Sequence, residues 1–118
     1  MMSLQMSVQP TEVHLKQAES VLEITWSDGH RFAYALRYLR GWCPCAHCQG
    51  HFAEQKTFVQ VGEVALRDVE PVGGYAVSFR WADGHHTGIY TFNYLLELER
   101  TPPGDGPTNA DCLRGAMV

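Results

Sequence analysis

Three cysteines fall within six consecutive positions, Cys43-Pro44-Cys45-Ala46-His47-Cys48, in the pattern Cys-x-Cys-x-x-Cys. One backbone loop can turn thiolates this close toward a common centre, as a tetrahedral ion with sulfur ligands at about 2.3 Å requires. Pro44 stiffens the loop, because it fixes its own φ and brings no amide hydrogen, so less entropy is lost on ordering. Three thiolates leave a tetrahedral ion one ligand short. The fourth has to come from elsewhere in the fold.

Six histidines and Cys112 are the candidates. His47 lies inside the loop, where its neighbours' geometry makes the same ion hard to reach. His51 follows shortly after Cys48 and could fold back. Cys112 belongs to a segment without periodicity, whose ordering costs entropy. His85 follows Asp83-Gly84, a tight hairpin tip, and a rigid tip presents a distant ligand well; His86 beside it would point to the opposite face of the strand. Spacing therefore favours His85 over His51. The competing chemistry is a redox-active disulfide between Cys45 and Cys48, since Cys-x-x-Cys supports one. The third thiol and the lack of a thioredoxin-like βαβ pattern argue against it.

The elements that must position these groups are legible on both sides of the loop. Glu12–Lys16 alternates as a first short edge strand, and Val21–Trp26 places Leu22, Ile24 and Trp26 on one face. Ser27-Asp28-Gly29-His30 makes a hairpin turn, with His30 read as exposed, and Arg31–Ala35 returns. Leu36–Arg40 suits a short helix stopped at Gly41. Gln49–Gln60 carries little signal beyond a helical turn over Ala53–Lys56. A strand over Val64–Val69, ended by Glu70-Pro71, precedes Tyr75–Trp81, a second Asp-Gly hairpin turn and a return over His86–Tyr90. Thr91 reads as the N-cap of a helix with Phe92, Leu95 and Leu96 on its inner face, and Pro102-Pro103 prevents its continuation. Glu97, Glu99 and Arg100 read as its solvated face, and Trp42, Phe52, Phe58 and Tyr94 as core.

The two hairpins echo one another. Trp26-Ser27-Asp28-Gly29-His30 recurs as Trp81-Ala82-Asp83-Gly84-His85, and the inward residues match, Leu22 with Val77 and Ile24 with Phe79. Either a hairpin–helix unit has duplicated and diverged, or two hairpins converged on good turn chemistry. Both readings give a small two-layer α+β domain of two β-hairpins and short helices.

A chain of 118 residues with 45% hydrophobic and 19% charged residues is expected to form one domain over 11–100, flanked by a loose leader (1–10) and a mobile tail (101–118). The net charge of −4 and the scattered Lys and Arg give no footprint for nucleic acid. The N-terminus lacks a secretory pattern, and no apolar stretch approaches the roughly 18 residues of a membrane span, so a cytoplasmic protein is expected. Clustered thiols there favour metal or redox chemistry over structural disulfides.

Leu39-Arg40, the Cys43–Cys48 loop and Trp81-Ala82-Asp83-Gly84-His85 together make residues 11–100 resemble the small N-terminal domain of gamma-butyrobetaine and trimethyllysine dioxygenases, and its stand-alone bacterial relatives. The resemblance implies one zinc held by Cys43, Cys45, Cys48 and His85. Those dioxygenases continue into a large domain carrying iron(II) and 2-oxoglutarate sites, whereas this chain ends. The domain also resembles a segment appended to P-loop ATPases of iron–sulfur cluster assembly.

No catalysis is expected. A site closed by three Cys and one His leaves zinc no open position, and no Ser-His-Asp set, carboxylate pair or phosphate loop is present. Asp28 and Asp83 are accounted for by their turns. The expected function is a structural zinc module serving a protein partner, with a homodimer as one arrangement. The alternative is an accessory or carrier factor in iron–sulfur assembly using the same donors, and a thiol redox protein is a third reading.

Overall fold

Apolar residues at alternate positions make Val21–Trp26 a strand (β2) with one face buried: Leu22, Ile24 and Trp26 are sealed off, while Glu23 and Thr25 stay half-exposed. Antiparallel to it runs β3 (Arg31–Ala35), after a turn in which Gly29 takes a φ of 97°, where a side chain would be strained. On the other edge of β2 lies β1 (Pro10–Lys16), which bulges between Pro10 and Glu12. The sheet order is β1-β2-β3, and α1 (Leu36–Gly41) follows directly. The computed structural model describes residues 8–44, 58, 65–84, 88–104 and 106–113.

The second half repeats this arrangement. β4 (Leu66–Val72), β5 (Ala76–Trp81) and β6 (Ile89–Thr91) form a sheet in the order β4-β5-β6 and lead into α2 (Phe92–Arg100). Val13 faces Ile24 as Val69 faces Phe79, and Leu15 faces Leu22 as Pro71 faces Val77. The second bulge falls between Leu66 and Asp68, at the matching place. Each helix starts from the same bond: Leu36 N–H donates to Ser20 O (2.9 Å) and Phe92 N–H to Tyr75 O (2.8 Å).

One core joins the halves. Trp26, Tyr34 and Leu39 from the first pack in the same cluster as Trp81, Tyr90 and Leu95 from the second. Four tyrosine hydroxyls then cross between halves in matched pairs. Tyr34 donates to Leu95 O (2.8 Å) and Tyr90 to Leu39 O (2.5 Å); Tyr38 donates to Leu98 O (2.7 Å) and Tyr94 to Trp42 O (2.5 Å). Exchanging the halves exchanges these bonds, so the molecule has an internal two-fold relation. Several of the acceptors lie at helix C-termini, where carbonyls lack intrahelical partners. Burial pushes all four hydroxyls above the ordinary tyrosine range.

The structure departs from the sequence reading in several places. Three-stranded sheets replace isolated hairpins, because β1 and β4 pair onto them. Pro71 does not end its strand: it lies inside β4, at a sheet edge where a missing N–H is tolerated. The second return strand is Ile89–Thr91, and residues 85–87 lie outside the described set. Thr91 does cap α2, accepting from Tyr94 N–H at 3.0 Å; Leu95 is buried as expected and Phe92 and Leu96 pack partly buried on the core, but the fully buried face turns toward Tyr94 and Leu98. That rotation lets Tyr94 reach Trp42 O. The segment expected as a mobile tail carries a further short helix, α3 (Asn109–Leu113). Asn109 is buried and binds the edge of β3 like a strand, its Oδ1 accepting from Ala35 N–H (2.8 Å) and its Nδ2 donating to Ala33 O (2.9 Å). Among the described residues no helix is long and apolar enough to cross a membrane.

Candidate metal centre

Cys43 emerges from the end of α1 into the core, where none of it is exposed. Trp42, equally buried, meets Phe58 edge-on with ring centroids 5.4 Å apart. Against the thiol lies the entry to β6. A Cβ added to Gly88 would stand 2.6 Å from Cys43 Sγ, closer than real Cβ contacts come, so only glycine lets the chain pass there. The Tyr90 hydroxyl adds a hydrogen-bonding contact with Cys43; burial first, then the neighbouring Cys43 thiol, drives the tyrosine's pKa up. Arg40 Nε reaches Asp83 Oδ2 at 3.3 Å, so Asp83 serves more than its own turn. The exit of α1 thus meets the second hairpin on both sides of its tip.

Of the four expected ligands, Cys43 is described, and Cys45, Cys48 and His85 lie outside the described residues, as do His47, His51 and His86. Among the described residues no group of three or more His, Cys, Asp or Glu is placed to hold a metal. What is brought together is the ground on either side: Cys43 and Pro44 lead into the cysteine loop, Gly84 and Gly88 flank residues 85–87, and Gly88 rests on both Cys43 and Pro44. Cys112 is carried by α3, where Arg37 binds its carbonyl (2.7 Å) and burial pushes its thiol up to about 11.

Sequence reasoning missed His30. Though its side chain remains 38% exposed at the turn, it joins the first hairpin tip to α2: Nε2 lies 2.9 Å from Glu99 Oε2, Nδ1 lies 2.6 Å from Asp28 Oδ1, and the ring stacks on Trp26 at 5.9 Å. Glu99 is correspondingly withdrawn from the solvated face, its side chain 15% exposed. The Glu99 and Asp28 carboxylates raise the His30 pKa, and the His30 amide, with its ring, lowers that of Asp28. The signal that could have found His30 is the echo itself, which sets it in the place of His85.

The two-fold relation extends to these groups. Exchange of the halves matches Tyr34 with Tyr90 and Glu99 with Cys43, the residues following Leu98 and Trp42, while the match of His30 with His85 is one of sequence alone, since His85 lies outside the described residues. The contact from Tyr34 to Glu99 (3.4 Å) has its counterpart in that of Tyr90 with Cys43. A separate cleft of about 470 Å³ runs between edge strands β1 and β4, past Val13, Leu15, Val69 and Pro71; among the described residues neither cysteine nor histidine lines it.

The model of the family described as gamma-butyrobetaine hydroxylase-like, N-terminal, matches residues 13–96. A crystal structure of a protein of unknown function from Acidithiobacillus ferrooxidans, of the DUF971 family, is similar at 36% identity, covering 75% of this chain and 90% of that one, with a TM-score of 0.61. Two solution NMR structures are also similar. One shows 30% identity over 83% of this chain and 74% of that one, TM-score 0.67. The other shows 33% identity over 76% and 71%, TM-score 0.59. No curated protein matches.

Proposed function

The chain belongs to the gamma-butyrobetaine hydroxylase-like N-terminal family, and from that premise we propose a structural zinc module that serves a protein partner and turns over no substrate itself. Cys43, Cys45, Cys48 and His85 hold the ion. It fastens the exit of α1 to the tip of the second hairpin. Four protein ligands leave zinc no open position, so its contribution is a cross-link. Thiolates of this kind persist in a reducing compartment, which suits the cytoplasm.

One observation carries the reading: in the first half, a histidine at the hairpin tip reaches Glu99 at 2.9 Å. The counterparts of that pair are His85 and Cys43, a metal-binding pair in place of an ion pair. The surroundings of Cys43 fit a ligand, since the thiol is buried and the chain opposite is stripped of its side chain at Gly88. We further read the shared register and bulges as a duplicated sheet–helix unit, one copy of which acquired the metal.

Metal analysis of anaerobically purified protein tests this. The expected outcome is one zinc per chain, no visible colour, and loss of the ion in Cys48→Ser and His85→Ala. Iron with a broad visible absorption would replace the reading with the accessory factor of iron–sulfur assembly, because the same donors suit both. Protein that takes up neither metal would end both.

A further inference from the structure

We propose that Asp28, His30 and Glu99 form a proton-operated clamp, which holds the first hairpin tip against α2 when the imidazole is protonated and lets go when it is neutral. The geometry selects the charged ring. A neutral imidazole has one N–H, whereas here both nitrogens face carboxylates, Nδ1 at 2.6 Å from Asp28 Oδ1 and Nε2 at 3.0 and 2.9 Å from the two Glu99 oxygens. Only imidazolium donates to both.

The groups facing His30 come from its own hairpin and from α2. Asp28 and the Trp26 ring belong to the hairpin, and Glu99 comes from α2. Tyr34, on β3, stands behind Glu99 with its hydroxyl 3.4 Å from Oε2. Phe92 packs edge-on against Trp26 from the start of α2, so the clamp closes an apolar contact already in place. The His30 side chain is 38% exposed, which gives protons access, and Glu99 is sheltered enough to be screened less than a surface carboxylate.

The sign follows from the direction of each shift. The His30 pKa is raised in the fold, so the stabilisation is complete below about 6.5, the ordinary value for histidine, and disappears as pH rises through the folded value. Asp28 is lowered, so its share is present above its ordinary value and is lost in acid, as pH falls through the folded value. The clamp is therefore strongest in mildly acidic solution and opens as pH rises through the raised His30 value. None of its three side chains is among the expected metal ligands.

The test is an NMR titration of the full chain in zinc-containing buffer, following the His30 ring in wild type and in Glu99→Gln, with melting of wild type and His30→Gln across pH. The His30 midpoint should lie above the ordinary histidine value and fall in Glu99→Gln. Wild type should melt above His30→Gln at about pH 6 and lose that advantage by about pH 9. Histidines shared by both proteins cancel in this difference. A midpoint at or below the ordinary value, a midpoint that Glu99→Gln leaves in place, or a melting difference independent of pH would overturn the clamp. If His30→Gln does not fold, the two ring titrations decide alone.

Discussion

The Tyr34 and Tyr90 hydroxyls make the same bond from opposite halves, each to a carbonyl of the other half's helix. Removing either loses one buried bond between the halves, which costs on the order of 1 kcal/mol. Tyr34→Phe and Tyr90→Phe should therefore lower the urea midpoint by similar amounts, as should Tyr38→Phe and Tyr94→Phe; a variant that matches wild type would show that its bond contributes nothing. These pairs were hidden in the sequence, where each tyrosine reads as one more aromatic on an apolar face. His30 was hidden for the same reason, since its partner Glu99 lies in another element. Gly88 is a further case: nothing in the local sequence distinguishes a turn glycine from one pressed against a thiol.

Among the elements, β2, β3, α1, β5 and α2 could be read from alternation, turn chemistry and capping, because those signals lie within a few residues of one another. β4 was misjudged at its end, since an edge position excuses Pro71 from donating. α3 gave no periodic signal, being too short to have one, and is held instead by Asn109 on β3. Asn109→Leu removes two bonds to the backbone of β3, each worth on the order of 1 kcal/mol. The variant should melt earlier, and hydrogen exchange at the Ala35 amide should accelerate. Unchanged protection there would mean that α3 does not cap the sheet.

At the scale of the molecule, two similar halves share one core and exchange hydrogen bonds, so they should unfold as one unit. Calorimetric and van't Hoff enthalpies should agree. Binding in structural zinc peptides is worth about 10–16 kcal/mol, comparable with the whole stability of a domain. A chelator should therefore shift the entire transition to lower temperature; a second transition, or an unmoved one, would contradict this. The sequence by itself determined the cysteine cluster, the paired hairpin tips, the strand faces and the α+β class, since each depends on residues adjacent in the chain. Tertiary structure alone decided that Cys43 is sealed against Gly88, that His30 closes on Glu99 and that four tyrosines relate the halves. Those facts join residues far apart along the chain, and only a folded core sets the distances between them.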